Sequence, residues 1–382
     1  MKKKFLVFLS YVLVAALSSV LSIGMMFGMG ADISKLDQLT DLIEDYYIED
    51  VSVPELEDVA AEAMVNAAGD RWSYYIPASE YAAYRETSEN AYVGIGITIT
   101  VAHDGDGLQV MQVNPGSSAE EAGMLVDDVI IAIEGQSASG MSTTDARNLV
   151  RGKEGTAVAL TVRRGSEELT MSVIRRKVQV PVAQWEMLDN HIGLVTIANF
   201  DERCAEETIA AIEALLAEGA EKLIFDVRGN PGGYADELVE VLDYLLPEGD
   251  LFRTVDYAGR EDVDTSDADC LEMPMAVLVD GESYSAAEFF AAALQEYEAA
   301  VVVGVKTTGK GYFQSTFRMS DGSAVALSIG KYFTPKGISL EGVGIEPDVK
   351  VPVDEETMLN IYYDRLQPQE DPQIQAAVEA LQ

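Results

Sequence analysis

Three segments of this 382-residue chain carry residue types that could perform hydrolysis. The first is residues 283–288, Ser-Tyr-Ser-Ala-Ala-Glu, which follows an apolar β-type run and opens a helical pattern. At a strand-to-helix turn the hydroxyl of Ser285 would be exposed, and nearby backbone N–H groups could receive an oxyanion. Ser285 and Glu288 also have the spacing of a capping box. On position alone, helix capping explains this segment better than catalysis does.

The second segment is residues 309–314, Gly-Lys-Gly-Tyr-Phe-Gln. Two glycines around one lysine leave room for another element to pack closely. If the run is extended, Lys310, Tyr312 and Gln314 point to one face. Burial would lower the pKa of Lys310, and a neutral lysine can take a proton from a serine hydroxyl. Gln314 could hold the amine without adding charge, whereas the alternative is an ordinary lysine in a surface loop.

The third segment is residues 226–233, Asp-Val-Arg-Gly-Asn-Pro-Gly-Gly, which follows a predicted strand and opens a helix. The successive N–H groups of Gly232 and Gly233 could bind an anion, although a tight turn without a ligand has the same pattern. The chain has two histidines, His103 and His191, and both lie in predicted turns. If the protein is a hydrolase, its base is therefore not expected to be histidine.

The elements that must position these segments indicate an α/β multidomain chain. Residues 32–90 have apolar residues at helical spacing. Residues 91–178 alternate strand-like runs with Gly-rich turns and contain two helical segments, as in a small mixed domain. Residues 179–352 contain short apolar runs, each followed by glycine and a helical pattern, which is the signal of βαβ units. Residues 353–382 form an acidic tail that ends in a short helix.

The N-terminus predicts a membrane anchor. Three lysines precede an uncharged stretch, residues 5–31, which is long enough to span a bilayer because a transmembrane helix needs about 20 residues. The lysines should stay in the cytoplasm, so we expect a single-pass anchor at residues 1–31 and an extracytoplasmic catalytic part. A cleaved signal peptide is the alternative. The net charge of −39 argues against nucleic-acid binding.

In their order and spacing, the three segments resemble those of the carboxyl-terminal processing peptidases, also called tail-specific proteases. The resemblance covers nearly all of residues 35–352. It implies a serine endopeptidase in which Ser285 is the nucleophile, and Lys310, which lies 25 residues later, is the general base. In the same family pattern, Gln314 orients the lysine.

The resemblance also implies an oxyanion hole, formed by the N–H groups of Ala286 and of the Gly232-Gly233 turn. Two residues beside the nucleophile depart from the family pattern. Tyr284 and Ala287 stand where many members have smaller or hydroxylated residues. Tyr284 could narrow the substrate path, which affects the expected side-chain preference but not the reaction.

Residues 91–178 resemble the PDZ domain of the same family, which is a peptide-binding module. The resemblance places its carboxylate-binding loop at Tyr92, Val93, Gly94, Ile95 and Gly96. Backbone N–H groups there would hold the C-terminal carboxylate of a substrate, and the peptide would add a strand to the sheet edge. Arg151 would couple peptide binding to activation, and its alternative is an ordinary solvent-exposed turn.

Together these expectations describe a protease that binds the C-terminal tails of extracytoplasmic proteins through its PDZ domain and cleaves them. No metal or organic cofactor is implied. The alternative is a catalytically silent PDZ scaffold that only tethers partners. The N-terminal helices could be a homodimerisation arm or a structural stalk, and Cys204 and Cys270 could form a disulfide or remain thiols. The sequence leaves both questions open.

Overall fold

The structure is a computed structural model that describes residues 34–103, 105–114, 116–362 and 366–382. The predicted anchor at residues 1–31 lies outside the described residues. Within the described ranges, no helix is both long enough and apolar enough to cross a membrane. The chain divides into two compact units, one ending at residue 75 and the other running from residue 76 to residue 382.

The first unit is helical, as its sequence predicts. It contains helices α1 (Lys35–Tyr46) and α2 (Val53–Ala67), and strand β1 (Tyr74–Ile76) lies at its boundary. The apolar residues that predict α1, namely Leu36, Leu39 and Leu42, are 40–56% exposed in this chain. Their spacing gives the helix one apolar face, and the proposed dimerisation arm stays a prediction.

The second unit begins with helix α3 (Tyr81–Ser88) and a small β-rich domain. The strands of this domain are β2 (Ala91–Gly94), β3 (Ile97–Val101), β4 (Leu108–Val113), β5 (Val129–Ile133), β6 (Gln136–Ser137), β7 (Ala157–Arg164), β8 (Glu167–Ile174) and β9 (Arg176–Gln179). Its helices are α4 (Ser118–Glu121) and α5 (Thr143–Val150). β2 and β9 pair antiparallel where the chain enters and leaves the domain. Between them lies a sheet in the order β3–β4–β5–β7–β8, with β6 paired to β5, so β3 is an edge strand.

The larger domain contains two sheets and a set of covering helices. Its strands are β10 (Ala183–Leu188), β11 (Ile192–Ile197), β12 (Lys222–Asp226), β13 (Gly249–Asp256), β14 (Glu261–Ser266), β15 (Met275–Val279), β16 (Ala300–Gly304), β17 (Tyr312–Arg318), β18 (Ala324–Phe333) and β19 (Val349–Lys350). Its helices are a 3₁₀ turn (Asp189–His191), α6 (Cys204–Ala217), α7 (Ala235–Leu245), α8 (Ala286–Glu296), α9 (Glu355–Tyr362) and α10 (Pro372–Ala380). β17, β18, β13 and β14 form an antiparallel sheet in that order.

The main sheet has the order β10–β11–β12–β15–β16–β19 and is parallel except for β10. Both of its faces are covered, which explains its nearly continuous apolar strands. Leu223, Phe225 and Val277 pack in a core with residues of α6, α7 and α8. The alternate residues, Ile224 and Leu278, pack in a second core with α10.

This topology brings the three chemical segments to one edge of the sheet. β12, β15 and β16 are parallel neighbours, so their carboxyl ends meet, as at the ligand-binding edge of open α/β sheets. Residues 227–234 follow β12, residues 280–285 follow β15, and residues 305–311 follow β16. The βαβ pattern predicted in the sequence is confirmed.

Candidate active site

Ser285 occupies the sharp turn between β15 and α8. Its backbone has φ +58° and ψ −127°, a conformation that costs free energy for a residue with a Cβ and is concentrated at functional sites. Ser285 is the N-cap residue of α8. Its own N–H donates to the Glu288 carboxylate at 3.1 Å, and the N–H of Glu288 donates to the carbonyl of Ser285 at 2.9 Å. The capping interpretation is therefore confirmed, and the strained backbone also favours a functional role.

The turn at residues 230–233 packs directly against this nucleophile candidate. A Cβ added to Gly232 would lie 2.7 Å from Cβ of Ser285 and 2.8 Å from the backbone nitrogen of Ala286. The N–H of Tyr284 donates to the carbonyl of Asn230 at 3.1 Å. Only glycine at position 232 therefore permits this approach, which brings two of the three segments into contact.

The hydrogen bonds within the turn distinguish its two glycines. The N–H of Gly232 donates to Oδ1 of the fully buried Asn230 at 2.8 Å, and Nδ2 of Asn230 donates to the carbonyl of Ile197 at 2.8 Å. Gly232 is itself buried, whereas Gly233 is exposed. Of the two glycine N–H groups predicted as oxyanion donors, that of Gly233 is the better placed to meet a substrate.

Glu288 joins the Ser285 turn to the Lys310 loop. Its carboxylate is fully buried and accepts from the N–H of Ser285 at 3.1 Å and from the N–H of Lys310 at 2.8 Å. It also accepts from the N–H of Gly309 at 2.8 Å and from the hydroxyl of Thr307. Burial raises the pKa of Glu288, and these four hydrogen bonds act in the opposite direction. One carboxylate thus fixes the backbone of both catalytic candidates.

This role of Glu288 is the main feature that the sequence does not reveal. The Ser-x-x-Glu spacing explains the residue completely as a local cap, so nothing in it requires a second set of partners. The available signal is a single acidic residue in an otherwise apolar start of α8, where residues 286–294 are all buried. A buried acid requires hydrogen-bond donors, and the next loop at the same sheet edge supplies them.

The Lys310 loop is covered by residues 340–345. A Cβ added to Gly309 would lie 2.9 Å from the backbone nitrogen of Gly344, and one added to Gly311 would lie 2.6 Å from that of Glu341. The N–H of Gly311 donates to the Glu341 carboxylate at 2.8 Å. The predicted close approach around Lys310 is confirmed.

The side chain of Lys310 is half-buried beside Tyr284. Its Nζ lies 5.7 Å from the centroid of the Tyr284 ring, within the roughly 6 Å over which a ring attracts a cation. Nε2 of Gln314 donates to the carbonyl of Tyr312 and the hydroxyl of Ser328, each at 3.0 Å. The pairing with β18 shifts register between Phe313 and Gln314, where Ile329 of β18 has no partner, and orientation of Lys310 by Gln314 stays a prediction.

The five residues predicted to bind a carboxylate divide between a strand and a turn. Tyr92, Val93 and Gly94 belong to β2 and pair with β9. Ile95 is buried, and its carbonyl accepts from the N–H of Ala119 at 3.0 Å. Gly96 has φ +79° and leads directly into the edge strand β3. The turn and β3 have the geometry for strand addition, and peptide binding there stays a prediction.

Arg151 is more constrained than a residue of an exposed turn. It follows α5, and its Nη1 donates to the carboxylate of Glu86 in α3 at 2.9 Å. The guanidinium lies 4.9 Å from the centroid of the Tyr92 ring. Arg151 therefore links α3, α5 and β2, while its predicted coupling to activation stays untested.

Comparison with known proteins agrees with this geometry. Residues 191–351 match the model of peptidase family S41, and residues 109–164 match that of a PDZ domain. The carboxy-terminal processing protease CtpA of Bacillus subtilis is 34% identical over 319 residues, which cover 83% of this chain and 68% of that protein. A probable CtpA-like serine protease of Staphylococcus aureus is 32% identical over 337 residues, 87% of this chain and 67% of that one.

A solved structure supports the fold alone. A Bacteroides fragilis protein assigned to the S41 proteases is 18% identical and has a TM-score of 0.54. The likeness covers 90% of this chain and 96% of that one. The PDZ module and the α/β peptidase core predicted from the sequence are confirmed.

Proposed function

Because this chain belongs to the C-terminal processing proteases of peptidase family S41, a serine protease family, we propose that Ser285 is its nucleophile and Lys310 its general base. The observation that carries the proposal is the buried carboxylate of Glu288. It binds the N–H of Ser285 at 3.1 Å and that of Lys310 at 2.8 Å. The two residues, 25 positions apart in the chain, are thus fixed to one acceptor.

The proposed reaction is acyl transfer to a serine. The neutral amine of Lys310 takes the proton from the hydroxyl of Ser285 while Oγ attacks the carbonyl carbon of the scissile peptide. The N–H groups of Ala286 and Gly233 receive the negative charge that develops on the carbonyl oxygen. Lys310 then gives its proton to the leaving amine. Water attacks the acyl-enzyme in the same way and releases the second product.

We propose that the substrates are extracytoplasmic proteins with free C-terminal tails. A protease with a PDZ module acts on proteins or peptides, and β3 offers an edge to which a tail can add as a strand. The turn at Ile95 and Gly96 would hold the terminal carboxylate. The predicted N-terminal anchor at residues 1–31 would keep the enzyme at the cell membrane, and the exposed apolar face of α1 is compatible with a homodimer.

Substitution of the two catalytic candidates tests the mechanism. In the purified full-length protein, Ser285→Ala and Lys310→Ala should each reduce cleavage of a tail peptide by more than about 10³-fold, because the nucleophile or its activator is lost. Lys306→Ala is the matched control, since Lys306 lies in the same loop but is exposed and pairs with Glu346. Mass spectrometry of the products measures each rate.

Two outcomes would contradict the proposal. Cleavage by folded Ser285→Ala protein at the wild-type rate would eliminate Ser285 as the nucleophile. Peptide binding without turnover by the wild-type protein, with the PDZ domain saturated, would favour the scaffold alternative. Unfolding curves recorded for all variants separate a catalytic loss from a loss of structure.

A further inference from the structure

The side chain of Arg228 is buried immediately before residues 229–233, which we call the oxyanion turn. It is 6% exposed, and its Nε donates to the Asp226 carboxylate at 2.9 Å at the end of β12. Its Nη1 donates to Oδ2 of Asp371 at 2.8 Å and to Oε1 of Gln373 at 2.9 Å. Arg228 therefore binds two residues that follow it in the chain by 143 and 145 positions.

Asp371 is built into the start of the last helix. Its side chain is 4% exposed. Oδ1 accepts from the N–H groups of Gln373 at 2.8 Å and Ile374 at 3.2 Å, which caps α10. Its second oxygen is left for Arg228. A single buried carboxylate thus begins α10 and binds the guanidinium.

Gln373 completes the connection. Its Nε2 donates to the carbonyl of Val351 at 2.8 Å while its Oε1 accepts from Arg228. The residue is itself buried, at 2% exposure. Because buried polar groups that lose a partner cost free energy, these contacts hold Arg228 in one position.

The position of Arg228 determines the path of the turn that follows. The N–H of Arg228 donates to Asp226 at 3.0 Å, and the N–H of Gly229 donates to the Asp280 carboxylate at 3.0 Å, in the loop before Ser285. Asn230 follows directly and binds the N–H of Gly232. A series of backbone contacts thus runs from Arg228 to Gly232, the residue directly before Gly233.

We propose that Asp371 and Gln373 are positioning residues for catalysis: the C-terminal helix holds the oxyanion turn in place through Arg228. The inference rests on the proposed function, because it concerns the N–H group that receives the charge of the substrate. The segment beyond residue 353, predicted to be a tail, is then a working part of the peptidase core.

A second contact of the same helix provides a matched control. Nζ of Lys222, at the start of β12, donates to the carbonyl of Leu381 at 2.6 Å. This bond attaches α10 to the same strand as Arg228 does, but at the end remote from the turn. Lys222→Met should therefore weaken the attachment of α10 without reaching the oxyanion turn.

The experiment compares Asp371→Asn, Gln373→Leu and Lys222→Met in the full-length protein. Steady-state cleavage of a tail peptide gives kcat and KM, and thermal unfolding gives Tm. For Asp371→Asn we expect kcat to fall by about 10–100-fold with KM within twofold, because a displaced donor affects the transition state more than substrate binding. Gln373→Leu should lower kcat by a smaller factor. Lys222→Met should lower Tm and leave kcat within twofold.

Two results would overturn the inference. One is an unchanged kcat in whichever of Asp371→Asn and Gln373→Leu fold. The other is a fall in kcat that follows Tm equally in all three variants, which would make α10 a structural support only. Gln373→Leu removes a neutral acceptor and keeps the cap on α10, so it gives a decision even if Asp371→Asn does not fold. Activity of Ser285→Ala, measured in parallel, shows separately whether the proposed function fails.

Discussion

Adding one methyl group to the oxyanion turn should disable the enzyme, and the structure supplies the magnitude. In Gly232→Ala the new Cβ would lie 2.7 Å from Cβ of Ser285 and 2.8 Å from the nitrogen of Ala286. Non-bonded carbon atoms prefer separations of about 3.5–4.0 Å, so the turn and the Ser285 backbone must separate by roughly 1 Å. A displacement of about 1 Å at reacting groups costs on the order of 10²-fold in rate.

The Gly232→Ala substitution also strains the backbone. The same substitution at Gly229, in the same turn, measures the effect of backbone strain without the steric clash. Gly232 has φ +88° and Gly229 has φ +65°, and alanine costs roughly 1–2 kcal/mol in this region. A Cβ on Gly229 would meet nothing within 4 Å. Gly229→Ala therefore carries the strain without the clash.

The assay measures kcat with a tail peptide and the free energy of unfolding in urea for both variants. Gly229→Ala should lose about 1–2 kcal/mol of stability and keep a near wild-type kcat. Gly232→Ala should lose at least as much stability and about 10²-fold in kcat. Equal kcat values in the two variants would show that contact between Gly232 and Ser285 does not matter for catalysis.

Three further outcomes follow from the same contacts. Glu288→Gln should lower kcat by at least about 10²-fold, since an amide cannot accept from all the donors around it; kinetics beside an unfolding curve check this, and unaltered kcat would contradict it. Tyr284→Leu should shift the acidic limb of the pH profile of kcat/KM by about half a pH unit to lower pH, because the ring of Tyr284 stabilises protonated Lys310 by about 0.5–1 kcal/mol. Tyr284→Phe keeps an aromatic ring and should leave the limb in place. Burial and, to a smaller extent, the charges of Glu202 and Glu237 raise the pKa of Asp201 to about 7. The folded state therefore binds the proton of the Asp201 carboxyl more tightly than the unfolded chain does, and the stability of the fold decreases as pH rises from about 4 to 7. The difference in stability between Asp201→Asn and the wild type should therefore favour the variant more at pH 8 than at pH 5. Urea midpoints of the two proteins that differ by the same amount at both pH values would argue against it.

Much of the site could be predicted because it depends on short-range rules. A β-type run, a glycine and a helical pattern place a loop at the carboxyl end of a strand, and three such loops on neighbouring strands meet. The positions of Ser285, Lys310 and Gly232 follow from that topology. The sequence predicts an anion-binding turn at Gly232, whereas the close approach of this residue to Ser285 is seen only in the structure.

The parts that could not be predicted depend on partners far away in the chain. The bulge opposite Gln314 is an extra residue of β18, Ile329, which appears only when β17 and β18 pair, so the residues of β17 alone could not reveal it. Asp371 has the sequence features of an ordinary helix cap, and its bond to Arg228 exists only because α10 packs on the main sheet. In both cases local sequence determines the element but not what it contacts.

Buried and half-buried acids explain how a strongly acidic chain can organise this site. Glu288 binds the N–H groups of Ser285 and Lys310, Glu341 binds that of Gly311, and Asp280 binds that of Gly229. Each of these carboxylates accepts a hydrogen bond from a loop other than the loop or helix to which it belongs. Consequently the nucleophile, the base and the oxyanion turn cannot shift independently. A site fixed in this way needs little reorganisation when charge develops on the substrate, which is the condition under which backbone N–H groups stabilise a transition state most effectively.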